Sequence, residues 1–283
     1  MHILSTLDDL RAYRRGLSGT LGFVPTMGAL HAGHLSLVDA AHEHADHVLV
    51  SVFVNPTQFG PNEDFARYPR PFEDDVALCA GRGVDAIFSP TPDVMYPPEA
   101  VDTLIDVPAL TGVLEGELRP GHFAGVCRVV AKLLILAMAD IAVFGRKDYQ
   151  QLQVIRAMSA DLFLPTRILG APTLREADGL AMSSRNRYLN ETERHHAVGL
   201  YKALQAAKAL VEEEDETNPA AVEDAMREVI TAHRMEVDYA VLRHPRTLGP
   251  LDAVSPALTH GVVALVAARL GGTRLIDNLT LGK

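Results

Sequence analysis

The sequence predicts an α/β fold, a doubly wound parallel sheet followed by a second, smaller α+β domain, and three observations carry that prediction. Short apolar runs recur at 21–26, 48–54, 84–88, 141–144 and 167–169, separated by stretches long enough for a helix. The first run passes through a glycine-bearing loop into apolar residues at helical spacing. Past residue 172 the alternation stops, and two helical stretches precede three strand-like runs. Strands alternating with helices are the mark of βαβ units and of a parallel sheet covered on both faces.

Along the chain, 21–26 reads as a buried strand, and Met27-Gly28-Ala29-Leu30 leads into a helix over 34–45 on which Leu35, Val38 and Ala41 share a face. The strand at 48–54 stops at Asn55-Pro56, because proline cannot continue a ladder. A helix over 72–81 and a strand at 84–88 follow. Beyond a proline-rich stretch come a long helix over 123–139, a strand at 141–144, a helix over 150–162 and a last strand at 167–169. Ligands in such Rossmann-like sheets bind beyond the carboxyl ends of the strands, where strand order reverses. The loops after Thr26, Val54 and Phe144 are therefore the places for a site. In the second domain 191–214 and 219–233 read as helices with acidic faces, and 237–242, 262–267 and 274–279 as strands. The domains are taken as 1–173 and 174–283.

A chain of 283 residues, 48% of them hydrophobic, has enough apolar material for a real core, which excludes global disorder. Its 36 acidic against 26 basic residues give a net charge of −10. A surface of that sign repels a polyphosphate backbone, and with no Lys/Arg-rich run no nucleic-acid partner is expected. Cys79 and Cys127 are isolated, which gives neither a metal-ligand pair spacing nor a secreted disulfide framework, so a reducing cytoplasm is expected. The first 15 residues lack a signal-peptide pattern. The longest apolar run, 133–139, is far shorter than the ~20 residues of a membrane span.

Four polar clusters carry the chemistry. In 25–34, His31 and His34 flank Gly33 at a helix start, two imidazoles beside unpaired N–H groups at a positive helix end. Phosphate is the usual occupant of such a place. The plainer alternative is that one histidine merely caps the helix. In 51–60, Asn55 and Gln58 each donate and accept, which suits hydroxyl and carboxylate groups; alternatively Asn55-Pro56 is only a strand-ending turn. In 144–151, Gly145 lets the backbone approach a ligand, Lys147 brings a compact positive charge and Asp148 can accept from a ribose hydroxyl. The bland alternative is a helix start. In 181–187, two hydroxyls followed by Arg185 can fold over a triphosphate, although such strings also occur in ordinary loops.

In this order and spacing the clusters resemble the pantothenate synthetase family. The resemblance rests on PTMGALHAGH at 25–34, FVNPTQFGPNEDFARYPR at 53–70, RPGHFAGV at 119–126, FGRKDYQQL at 144–152 and READGLAMSSRNRYL at 175–189. It implies a place in the nucleotidyltransferase superfamily, with a HIGH-type signature at 31–34 and a KMSKS-type mobile loop at 182–185. The implied reaction is ATP-dependent condensation of pantoate with β-alanine through a pantoyl adenylate, releasing AMP and pyrophosphate. Mg²⁺, a homodimer formed through the N-terminal domain and a C-terminal domain acting as a lid are implied as well.

The same resemblance implies the roles of single residues. His31, His34 and Lys147 contact the phosphates in the transition state, and Ser183, Ser184 and Arg185 close on the triphosphate. Met27, Gly33, Gly145, Asp148, Leu174 and Met182 complete the ATP contacts. Gln58 and Gln151 hold pantoate, with Met27, Asn55 and His122 beside them, and Asp74 helps to hold the metal. In two departures, Arg146 stands where many members carry an acidic residue, and Ala139-Asp140 replaces a common Pro-Asp.

The residues suit that chemistry independently. Attack of a carboxylate on the α-phosphorus brings anion to anion, so positive charge and hydrogen-bond donors must stand where charge develops. Two other functions share the fold: nucleotidyl transfer to a phosphorylated acceptor, and nucleotide binding without turnover. The first requires a further basic pocket where this chain has the neutral amides Gln58 and Gln151. The second leaves the charged residues without a purpose.

Overall fold

The computed structural model describes residues 1–61, 63–254 and 261–282, so that Asn62 of the 53–70 motif lies outside the described residues. The chain divides into two compact units, Met1–Arg146 with Gln150–Pro172, and Lys147–Tyr149 with Thr173–Lys283.

The first unit is built on six parallel strands: β1 (His2–Leu4), β2 (Leu21–Thr26), β3 (His47–Val52), β4 (Ala86–Phe88), β5 (Ile141–Gly145) and β6 (Arg167–Ala171). They lie in the order β1-β4-β3-β2-β5-β6. From β2 the chain moves outward through β3 to β4, and from β5 it moves outward the other way to β6. The order therefore reverses between β2 and β5, and the loops leaving those two strands flank the switch point. Phe23, Leu49, Ile87 and Phe88 are fully buried in the sheet.

Helices α1 (Leu7–Gly16), α2 (Ala32–His42) and α3 (Phe72–Ala80) precede three single-turn helices, α4 (Pro92–Met95), α5 (Pro108–Thr111) and α6 (Glu115–Leu118); α7 (His122–Ala137) and α8 (Tyr149–Asp161) follow. The expected parallel α/β sheet is present, with β1 and α1 added at its start. A three-residue strand is too short to show a period. The ten-residue α1 buries only Leu10, so its start is signalled by chemistry: Thr6 and Asp9 form a reciprocal capping box.

The second unit is the smaller α+β assembly. Its antiparallel sheet runs β7 (Glu236–Arg243), β8 (Val262–Leu270), β9 (Thr273–Leu281), with helices α9 (Glu191–Ala197), α10 (Gly199–Glu212) and α11 (Pro219–Ala232). Leu200, Leu204, Val222, Met226 and Val266 form its core. The single helix expected over 191–214 is two helices, and the break falls where Gly199 passes His233 so closely that a Cβ would lie 2.6 Å from the His233 Cβ. Residues 147–149 group with this unit because Asn278 Nδ2 donates to the Lys147 carbonyl at 2.8 Å and the Tyr149 hydroxyl donates to the Pro245 carbonyl at 3.1 Å. Among the described residues no helix is long and apolar enough to cross a membrane.

Candidate active site

The loop between β2 and α2 is held in an unusual backbone path. Gly28 has φ +79° and Ala29 φ +51°, both left-handed. A Cβ on Gly28 would stand 2.8 Å from Asp75 Oδ2 and 2.9 Å from Val52 Cγ1, so only glycine fits. The Asp75 carboxylate, 1% exposed, accepts from the Ala29 N–H at 2.9 Å and from the Leu30 N–H at 2.7 Å. Two backbone donors on one buried carboxylate fix the approach to α2. His31 then caps the helix: its Nδ1 accepts from the Gly33 N–H at 3.1 Å. With Nδ1 an acceptor, the neutral ring carries its proton on Nε2, so capping and donation coexist in one side chain. The His31 and His34 rings lie 4.1 Å apart between centroids.

After β3, Asn55 caps a 3₁₀ turn, Pro56–Gln58. Asn55 is 1% exposed, and its amide is spent internally. Its Oδ1 accepts from the Thr57 N–H and hydroxyl at 3.3 and 2.9 Å and from the Tyr96 hydroxyl at 2.7 Å. Its Nδ2 donates to Gln58 Oε1 at 3.0 Å and to the Gly125 carbonyl at 3.2 Å. Asn55 thus sets the orientation of Gln58. The Gln58 Nε2 lies 3.1 Å from Met27 Sδ.

His122, at the head of α7, holds the same turn. Its Nδ1 donates to the Gln58 carbonyl at 2.8 Å and its Nε2 accepts from Arg119 Nη1 at 3.1 Å, so both ring nitrogens are occupied in holding the turn. Burial, aided by the Arg119 charge, pushes its pKa down to about 4, which keeps the ring neutral. Arg119 in turn grips Glu63 with two bonds of 2.7 Å. Burial works against the Glu63 charge, but Arg119 outweighs it and holds the carboxyl below its usual range. α7 reaches the turn because residue 125 is glycine: a Cβ there would sit 2.2 Å from the Thr57 oxygen and 2.7 Å from the Gln58 nitrogen.

Gly145 ends β5, and Gln151 is half-buried on the first turn of α8. Arg146, the departure from the family pattern, is exposed and sends Nε to the Gly170 carbonyl at 2.9 Å. In the second unit Lys147 Nζ lies 3.6 Å from Asp148 Oδ1. The Met182 N–H donates to the Leu174 carbonyl at 3.0 Å, closing the hairpin that leads to the Ser-Ser-Arg turn. Ser183 Oγ caps that turn by accepting from the Arg185 N–H at 3.3 Å; Ser184 is its first residue. Asn186 fastens the turn to Glu176 at 2.9 Å and to the Ala181 carbonyl at 3.1 Å.

Among the described residues no group of three or more His, Cys, Asp or Glu side chains is arranged to hold a metal. Asp74 is exposed on the first turn of α3. One exposed carboxylate suits Mg²⁺, which is held by one or two carboxylates while substrate phosphates and water supply the other oxygens.

Asp75, Arg119, Gly125, Asp277 and Asn278 were not singled out from sequence. Asp75 sits in the run Glu73-Asp74-Asp75, where only helix phase separates the buried carboxylate from the exposed ones. The signal for Asp277 and Asn278 was available: two adjacent polar residues between Leu275-Ile276 and Leu279 in the middle of a strand.

A family model described as pantoate-beta-alanine ligase matches residues 2–280. A pantothenate synthetase of Xanthomonas euvesicatoria pv. vesicatoria is 51% identical, covering 98% of this chain and 99% of that protein. One from Myxococcus xanthus is 50% identical, over 99% and 96%. The crystal structure of pantothenate synthetase from Thermus thermophilus superposes with a TM-score of 0.93 at 45% identity, covering 100% of both chains. The pantoate-beta-alanine ligase of Francisella tularensis, solved in complex with beta-gamma ATP and β-alanine, gives 0.81 at 33% identity, over 99% and 97%.

Proposed function

Because the chain belongs to the pantoate–β-alanine ligase family, we propose a division of labour among its residues in the reaction that follows. The enzyme forms pantothenate from pantoate and β-alanine at the expense of ATP. In the first step the pantoate carboxylate attacks the α-phosphorus of ATP, giving pantoyl adenylate and releasing pyrophosphate. In the second the neutral amine of β-alanine attacks the acyl carbon, AMP leaves with the bonding electrons, and the amine proton passes to solvent.

The observation that carries this assignment is the His31–His34 pair at the head of α2, with the His31 proton placed on Nε2 by the Gly33 N–H. Donors there oppose the charge that grows on the phosphates as carboxylate and α-phosphate approach. We assign Lys147, Ser183, Ser184 and Arg185 to the same phosphates, and Met27, Gly33, Gly145, Asp148, Leu174 and Met182 to the rest of ATP. Gln58 and Gln151 take pantoate, with Asn55 and His122 holding Gln58 in place. Neutral amides recognise a small hydroxy acid by its donor and acceptor pattern; a phosphorylated acceptor requires a cationic pocket. Asp74 would offer one oxygen to a Mg²⁺ ion, which would screen the phosphate charge of ATP. Keeping water from the mixed anhydride is assigned to the second domain, 174–283. A homodimer formed through the first domain and a cytoplasmic setting complete the proposal; in that setting Cys79 and Cys127, both buried and free, remain thiols.

The test is exchange of labelled pyrophosphate into ATP. It is expected to require pantoate, to proceed without β-alanine, and to fall roughly 10²–10³-fold in His34→Ala and in Lys147→Ala. Exchange at equal rate without pantoate would overturn the adenylate pathway.

A further inference from the structure

The last strand of the second unit holds two adjacent buried polar residues, Asp277 and Asn278, that none of the chemistry above uses. Asp277 is 2% exposed and Asn278 6%. Arg175 clasps Asp277 with Nη1 at 2.6 Å and Nη2 at 3.0 Å, lies 4.3 Å from the centroid of the Tyr201 ring, and sends a further bond to the Gly179 carbonyl at 3.1 Å. Asp277 Oδ1 also accepts from the Asn278 N–H at 2.8 Å, and the Asn278 carbonyl accepts from Arg175 at 3.3 Å. The peptide of Asn278 is therefore held from both sides. What this rigid peptide presents is its side-chain Nδ2, which donates to the main-chain carbonyl of Lys147 at 2.8 Å.

We propose that Asn278 is a positioning residue for Lys147, and that the Arg175–Asp277 pair is the anchor that makes it one. Lysine carries its charge on a flexible four-carbon stem, so the reach of its ammonium is set by where its own peptide is fixed. Lys147 lies in a 3₁₀ turn, Arg146–Asp148, between the end of β5 and the start of α8. One side-chain donor on the carbonyl of that turn restrains the root of the stem. Arg175 is also the first residue of the hairpin that ends at Ala181, next to the Met182 to Arg185 segment. The strand β9 thereby roots both segments of this unit that are assigned to ATP, the one with Lys147 directly and the one with Ser183 to Arg185 through Arg175. A displacement of about 1 Å at a reacting group is enough for a 10²-fold loss.

The inference rests on the assignment of Lys147 to the phosphates, and a double-mutant cycle separates the two. Asn278→Leu keeps the size of the side chain and removes the donor. It is expected to lower pantoate-dependent pyrophosphate exchange roughly tenfold or more, through kcat with the KM for ATP little changed. Formation of pantothenate from preformed pantoyl adenylate and β-alanine should proceed at the wild-type rate. In the Lys147→Ala background the same substitution should add no further loss, because it acts through that side chain. Asn278→Ser, which keeps a donor, should lie between wild type and the leucine variant, and it serves as the readout where the leucine variant fails to fold. Equal losses in both backgrounds, or a wild-type rate in Asn278→Leu, would overturn the inference while leaving Lys147 in place. A wild-type rate in Lys147→Ala would remove both.

Discussion

The two units fix their site residues in different ways. In the first, the functional side chains are themselves oriented: Asn55 orients the Gln58 amide, and the Gly33 N–H sets the tautomer of His31. In the second, the backbone is what is held: Asn278 takes the Lys147 carbonyl, Leu174 the Met182 N–H, and Ser183 the Arg185 N–H. On the proposed assignments, the difference follows from what each set has to recognise. A neutral amide discriminates by which end donates and which accepts, so a rotation of the group inverts its meaning. A cation facing phosphate works through a Coulomb attraction that tolerates rotation, and only the root of its stem needs a fixed place.

The largest effect expected from breaking the first arrangement is at Asp75. In Asp75→Asn one oxygen still accepts, but an NH₂ group now faces the second backbone N–H. A buried donor left unsatisfied costs about 1–3 kcal/mol, which urea unfolding measures. Pyrophosphate exchange should fall with it, since Gly28 and Ala29 lose what holds their left-handed path. If exchange stays at the wild-type rate in a destabilised variant, the carboxylate stabilises the fold without ordering the histidines.

Gly125→Ala sharpens the comparison at the other cluster. The added methyl meets the Thr57 oxygen at 2.2 Å, and α7 or the turn must shift. Overpacking of this kind costs about 1–3 kcal/mol. Because the turn carries Gln58, the KM for pantoate should rise while the KM for ATP stays near wild type. Equal rises in both would show that the pantoate groups and the nucleotide groups are not held independently.

The parallel sheet was legible in the sequence because buried strands such as β2 and β3 are continuous apolar runs, and the helices between them have their own period. The helix-start histidines and the loops with Lys147 and Arg185, to which the proposal gives the phosphates, could be picked out from the letters alone. What stayed hidden was the support. Asp74 and Asp75 are identical as letters, and only the phase of α3 turns one inward. Asn55 and His122 were legible as hydrogen-bond formers, but not as the pair that holds the turn of Gln58. In the folded chain their partners stand as far away in sequence as Gly125 and Gln58, 70 and 64 residues off. Long-range pairing of polar groups leaves no period to read.

The effect that shows only as pH falls, at His122, is the most diagnostic of this hidden support. Its folded pKa of about 4 lies below the ordinary 6.5. Between those values the unfolded chain takes up a proton that the folded chain refuses, so stability should rise with pH across this window and gain nothing further above it. The slope from one such group is at most about 1.4 kcal/mol per pH unit. Protonation on Nε2 also turns the acceptor toward Arg119 into a second donor facing a cation, which loosens the turn and should raise the KM for pantoate as pH falls toward 4. In His122→Gln the stability slope that remains belongs to the other titrating groups, and the difference between the two proteins isolates the ring. Superimposable stability curves for wild type and variant from pH 4 to 7 would mean that the ring accepts its proton as readily folded as unfolded. The bond from Arg119 would then contribute nothing to the placement of Gln58.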